Sequence, residues 1–178
     1  MKKTIFPAFF WILLCAGVLF CLSRSLEGVR QTRLQEALLE KMRILLPGST
    51  HFTSRTDENL GGSVIAAWEG ETGVVVQTVT GGYAGDITML VGVGNSGRVT
   101  GLQVCNMAET WGLGSRILTD STFLAQFLNT SGQAVIGVDA DALSGATVSS
   151  RAVAHGIREA VAYVTGADAS SGATLWGG

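Results

Sequence analysis

VVVQTVTGGYAGDITMLVGVGNSGRVTGLQV, residues Val74 to Val104, contains three runs rich in β-branched side chains. Val74 to Thr80, Ile87 to Val93 and Val99 to Val104 each have the length of a strand, and glycines separate them, so successive antiparallel strands are expected. Gly94-Asn95-Ser96-Gly97 is suited to the tight turn between the last two. Upstream, Val64 to Trp68 has the same character and adds a fourth strand. Downstream, Ser121 to Leu128 is expected as a short helix and Val135 to Val138 as a further strand.

Helical periodicity brackets this sheet. Before it, Leu26 to Leu46 places Leu34, Leu38, Met42 and Leu45 at three- and four-residue steps with Arg33, Glu36, Glu40 and Arg43 between them, until Pro47-Gly48 ends the pattern. The polar stretch from Ser49 to Gly62 is expected as a loop. After the sheet, Ser149 to Val164 puts Val153, Ile157, Ala160, Val161 and Val164 on one helical face, with Gly156 as its weak point. An antiparallel sheet flanked by helices defines an α+β domain.

The N-terminus has a different character. Ile5 to Leu22, IFPAFFWILLCAGVLFCL, has no charged residue, and as a helix it rises about 27 Å, close to the thickness of a hydrocarbon core. A single transmembrane helix is the reading, flanked by Lys2, Lys3 and Arg24. A cleaved secretory signal competes with it, because Cys21-Leu22-Ser23 has small-x-small spacing. Basic residues on the two sides nearly balance, so charge leaves the orientation open. The chain thus divides into a short tail (1–4), the transmembrane helix (5–22), the amphipathic helix and connecting loop (23–62), the folded domain (63–165) and a flexible C-terminal tail (166–178).

A length of 178 residues leaves room for one ordinary domain besides the span. The net charge of −2 lacks the excess of basic side chains that nucleic acid requires. Cys15 and Cys21 lie in the apolar run, and Cys105 is expected as a small buried side chain. No spacing suits a disulfide framework or a metal site. His51 and His155 are the only histidines and form no acid–base constellation.

Asp139 to Arg151, DADALSGATVSSR, reads as an acidic turn followed by small residues that open a helix. Such a helix start leaves backbone N–H groups free, and Gly145 and Ala146 permit close backbone approach, which suits a phosphate. Ser149 and Ser150 either cap the helix or bond the anion. On the residues alone, ordinary capping explains them as well.

VDADALSGATVSSRAV resembles the flavinylation site of the membrane-linked FMN-binding domains of the RnfG/RsxG and NqrC type. Gly81-Gly82-Tyr83-Ala84-Gly85-Asp86-Ile87, with Val91-Gly92-Val93 and Gly97-Arg98-Val99-Thr100-Gly101, resembles that family's glycine–tyrosine strand pair. Glu109-Thr110-Trp111-Gly112-Leu113-Gly114 resembles its Glu-Thr-Pro-Gly-Leu-Gly loop, departing at Trp111, and the family's upstream histidine is missing from Asn106, Met107 and Ala108.

The resemblance implies FMN attached through its phosphate to Thr147, with Ser144, Gly145, Ala146, Val148, Ser149, Glu109, Thr110, Trp111, Gly112, Leu113 and Tyr83 around the cofactor. Trp111 packs on or beside the isoalloxazine, or else covers the sheet. A flavin transferase that takes FMN from FAD is implied as a maturation partner, and no metal ligand is needed in this chain. The implied setting is the bacterial inner membrane with the domain on the periplasmic side. There the chain relays electrons, singly, among the other subunits of an Rnf-type ion-translocating ferredoxin:NAD oxidoreductase. The alternatives are a stand-alone extracytoplasmic flavin reductase and an NqrC-like component of a sodium-translocating quinone reductase. A second Ser-Gly-Ala-Thr, Ser171 to Thr174, shares the letters but has no expected helix after it.

Overall fold

Alternation along Val74-Val75-Val76 gives one strand two apolar faces, and a strand of that kind needs cover on both sides. The computed structural model describes Gly17, Phe20, Cys21 and residues 32–55, 60–107, 120–133 and 135–166. The chain divides into two units, Met1–Glu40 and Lys41–Gly178. In the first, Gly17, Phe20, Cys21 and residues 32–40 are helical. No helix among the described residues is long and apolar enough to cross a membrane. The span expected over Ile5 to Leu22 lies outside them apart from Gly17, Phe20 and Cys21.

Helical residues run from 32 to 45 (α1), as the periodicity implies, although Leu34 is exposed and only Met42, Leu45 and Leu46 at the far end are buried. Five strands follow: β1 (Thr53–Arg55), β2 (Val64–Gly70), β3 (Gly73–Gly81), β4 (Asp86–Gly94) and β5 (Val99–Met107). They form one antiparallel sheet in chain order, each strand beside its sequence neighbour. The short helix α2 (Ser121–Ala125) and the long helix α3 (Thr147–Thr165) complete the elements.

The four expected strands are present, each longer by two or three residues. Two expectations are corrected. The stretch from Ser49 to Gly62 is not all loop, since Thr53–Arg55 pairs with β2 as an edge strand. Val135 to Val138 is not a strand; it belongs to a turn with a single bridge between Ile136 and Ala140. Gly137 there has φ +90°, which breaks an extended run.

α3 covers one face of the sheet. Val76, Met89, Val91, Val153, Ile157 and Val161 meet in the main core with Phe123 and Phe127 of the α2 region, whose rings stand edge to face with centroids 5.4 Å apart. Gly156 is a point of contact in this packing. A Cβ there would lie 3.0 Å from Thr78 Oγ1 and 3.1 Å from both Met89 Cε and Thr80 Cγ2. The hydroxyls of Thr78 and Thr80 are buried beneath the helix and have no hydrogen-bond partner among the described residues.

The opposite face receives the end of α1. Gly92 and Gly101 are cross-strand partners, and a Cβ on Gly92 would collide with the Leu45 carbonyl oxygen, while one on Gly101 would lie 2.9 Å from Leu45 Cα. The glycine pair is therefore a seat for the helix backbone. Thr100 Oγ1 donates to Leu45 O at 2.7 Å and fixes the helix end there.

Candidate cofactor-attachment site

The segment before α3 is held by hydrogen bonds that its composition does not announce. The Asp139 carboxylate accepts from the Val135 N–H at 3.1 Å, and Gly137 N donates to Ala140 O at 2.8 Å, closing the turn. Gln126, just after α2, then acts as a peptide mimic. Its Oε1 accepts from Asp141 N at 2.8 Å and its Nε2 donates to Asp141 O at 3.4 Å.

Ser150 braces the other end of the segment from inside the helix. Its hydroxyl donates to Ala146 O at 2.9 Å and accepts from Leu143 N at 3.1 Å. Ala146 N donates to Leu143 O at 2.9 Å, and Gly145, at φ +80°, supplies the left-handed residue that this turn needs. Leu143 packs against the core and Ala146 is buried. Ser144, Gly145 and Thr147 are left exposed at the tip.

The sequence suggests Ser149 and Ser150 as caps or anion ligands, and the structure corrects the capping role. The N-cap is Ala146, which makes no side-chain cap bond, and both serines lie within the first turn with their side chains buried. Ser149 can therefore offer an anion only its backbone N–H. The first helical bond at this end is Ser150 N to Ala146 O, at 2.8 Å. The N–H groups of Thr147, Val148 and Ser149 precede it and have no partner in the helix. No acidic side chain occupies the first turn, so the positive end of the helix dipole is not neutralised there.

Chemically, these features fit an esterified phosphate. An exposed threonine hydroxyl stands where three N–H donors and the helix dipole converge, and Gly145 beside it has no Cβ to obstruct the backbone. Val148, also exposed, adds an apolar surface next to the hydroxyl.

Tyr83 belongs to the same end of the domain. At its other end α3 comes down near the β4–β5 turn, where a Cβ on Gly97 would lie 2.9 Å from Thr165 Cγ2. From Gly156, above Thr78 and Thr80, the helix extends about 13 Å back to Thr147, comparable with the roughly 10 Å of strand from Thr78 to the end of β3. The turn following β3 is closed by Gly82 N donating to Gly85 O at 2.8 Å, and Tyr83 at its tip is 75% exposed. β5 ends at Met107, opposite Ile87; Glu109, Thr110, Trp111, Gly112 and Leu113 follow it in the sequence. Those five residues lie outside the described ones.

Other reactive side chains lie apart. Cys105, expected to be buried, is exposed, although partial desolvation raises its thiol pKa, opposed by the charge of Lys41. His155 faces Glu159 one turn along α3, at 3.9 Å. His51 is exposed beside Glu71, whose carboxylate is lowered to about 2, chiefly by backbone hydrogen bonding.

Residues 82–162 match the FMN-binding domain family. The chain is 30% identical over 164 residues to the G subunit of the ion-translocating oxidoreductase complex of Vibrio cholerae, covering 78% of this chain and 77% of that protein. It is 32% identical over 140 residues to the protein of the same name from Methanosarcina acetivorans, covering 71% and 74%. It is also 37% identical over 98 residues to the G subunit of the proton-translocating ferredoxin:NAD(+) oxidoreductase complex of Clostridium ljungdahlii, covering 51% and 52%.

Proposed function

We propose that this chain, which belongs to the G-subunit family of ion-translocating oxidoreductase complexes, carries FMN as a phosphoester on Thr147 and relays electrons between the other subunits of an Rnf-type complex. The observation that carries the reading is the exposed Thr147 hydroxyl at the uncapped start of α3, inside the FMN-binding match. When bound, FMN supplies a ring that accepts electrons and passes them on.

The chain's own residues have separate tasks in this reading. Thr147 holds the phosphate through a bond that does not dissociate, so affinity is no longer needed to retain the cofactor. The N–H groups of Thr147, Val148 and Ser149 spread the remaining phosphate charge over the helix start. Gly145 and Ser144 leave the phosphate accessible to a flavin transferase that uses FAD. Val148 and Tyr83 offer surface to the ring, and Glu109, Thr110, Trp111, Gly112 and Leu113 are the further residues that the family resemblance assigns to it.

Attachment to the membrane rests on the uncharged run from Ile5 to Leu22. With that helix in the inner membrane and the domain on the periplasmic side, confinement raises the effective concentration of neighbouring subunits. A form beginning near Leu26, exported to meet the transferase, is expected to take up flavin yet fail to restore electron transfer in membranes lacking the native chain. Full restoration by that fragment would favour a free reductase.

The test of attachment is Thr147→Ala. The variant should lose the FMN ester from the peptide that contains residue 147, as mapped by mass, while its domain stays folded, because an exposed hydroxyl contributes little to stability. An undiminished FMN ester at position 144, 149 or 150 in that variant would overturn the assignment.

A further inference from the structure

We propose that Thr174 is a second flavin-attachment site, so that one chain carries two FMN esters; the proposal rests on the reading of Thr147 given above. Ala140-Asp141-Ala142-Leu143-Ser144-Gly145-Ala146-Thr147 recurs as Ala167-Asp168-Ala169-Ser170-Ser171-Gly172-Ala173-Thr174. The two differ only in Leu143 against Ser170, and an apolar residue follows each, Val148 and Leu175. The second copy lies beyond the stretch matched to the FMN-binding family, which ends at residue 162.

The structure of the first copy separates letters that serve the fold from letters that do not. Leu143 packs against the core, and it is the position that changes, to a polar residue. Asp141, Ser144 and Thr147 are exposed. Among the described residues none of these three side chains has a hydrogen-bond or ion-pair partner; only the backbone of Asp141 is held, by Gln126. All three nevertheless return with their spacing intact as Asp168, Ser171 and Thr174. Gly145, which the turn needs at φ +80°, returns as Gly172. Side chains kept without a folding role fit recognition by another macromolecule, and the macromolecule that acts on the first copy is the flavin transferase.

The second modification follows the chemistry of the first. The Thr174 hydroxyl oxygen attacks the phosphorus on the riboflavin side of the FAD pyrophosphate, and a new O–P ester bond forms. The P–O bond to the adenylate half breaks, AMP departs with the electron pair, and the hydroxyl proton passes to solvent; nothing is oxidised or reduced. Fully extended, the chain from Thr165 to Thr174 spans at most about 30 Å, while Thr147 lies about 27 Å from Thr165 along α3. The tail therefore has the reach to bring the second flavin to the first.

The experiment is intact mass and peptide mapping of the full chain, co-expressed with a flavin transferase and supplied with FAD and magnesium. Two FMN esters are expected on the unaltered chain, one on Thr174→Ala (at Thr147), one on Thr147→Ala (at Thr174), and none on the double variant. Thr174→Ser should keep the second ester. A single ester that Thr147→Ala loses and Thr174→Ala keeps overturns the second site and leaves the first standing. A single ester with the opposite behaviour overturns the reading of Thr147 and leaves the second site standing. No ester on any form overturns both.

Discussion

Ser150→Ala separates a brace from a ligand. The Ser150 hydroxyl is fully buried and spans from Leu143 N to Ala146 O, so removing it frees a half-buried N–H and unties the attachment loop from its helix. An unsatisfied donor costs about 1–3 kcal/mol. The bond to Ala146 O, a back-bond within the helix, adds little, and the better helix propensity of alanine returns up to about 0.5 kcal/mol. The net expectation is a loss of about 0.5–3 kcal/mol, or a melting temperature lower by roughly 2–10 °C for a domain of this size. Intrinsic tryptophan fluorescence of the flavin-free protein during heating measures it. Flavin uptake should still reach completion because Thr147 is intact, but more slowly: about 1 kcal/mol of loop ordering left to the transferase is roughly a fivefold slower rate. Unchanged stability together with abolished uptake would refute the reasoning and make Ser150 a contact of the phosphate.

Gly156→Ala should lower the urea midpoint: helix propensity favours alanine by about 1 kcal/mol, but contacts at 3.0–3.1 Å with three neighbouring atoms bring an overpacking cost of about 1–3 kcal/mol. Glu71 accepts from Thr50 N and Thr50 Oγ1, each at 3.0 Å, and from His51 N at 3.2 Å, and its pKa is lowered from 4.5 to about 2. Its stabilising effect is therefore complete above pH 4.5 and fades as the pH falls toward 2; an acid titration of Glu71→Gln should lack that part of the decline. Cys105, with its thiol raised by desolvation and pulled back by Lys41, should alkylate more slowly than a free cysteine at pH 8, and Lys41→Met should slow it further, as followed on the Cys105 peptide.

Long, strongly patterned elements were legible in the sequence. Val74–Thr80 and Ile87–Val93 carry their own strand signal in β-branched side chains, and Val153, Ile157 and Val161 mark the buried face of α3 without help from tertiary structure. Elements set by a neighbour were not legible. Thr53–Arg55 has no alternation of its own and is a strand only because β2 lies beside it. Val135 to Val138 has apolar letters, but the Asp139 carboxylate and Gly137 turn it. At the candidate site, Thr147 is singled out as the proposed acceptor by family resemblance alone, whereas Gln126 and Ser150, which hold its loop, act on backbone groups across the fold and leave no mark in sequence spacing. Ser149 and Ser150 looked like caps because they stand near the helix start; only the observed boundary shows that the helix begins two residues earlier, at Thr147.

The chain-order sheet also has a kinetic consequence. Each strand pairs with its immediate neighbour in sequence, so every hairpin closes over a short stretch of chain and such local topologies assemble quickly. α3 comes last and has nothing to bury Val153, Ile157 and Val161 against until β3 and β4 stand side by side. Order of assembly therefore places the docking of Thr147 at the end. During synthesis, the interval between release of the strands and arrival of α3 is when the apolar face of the sheet is bare, and slow passage through that interval is where aggregation would compete with folding.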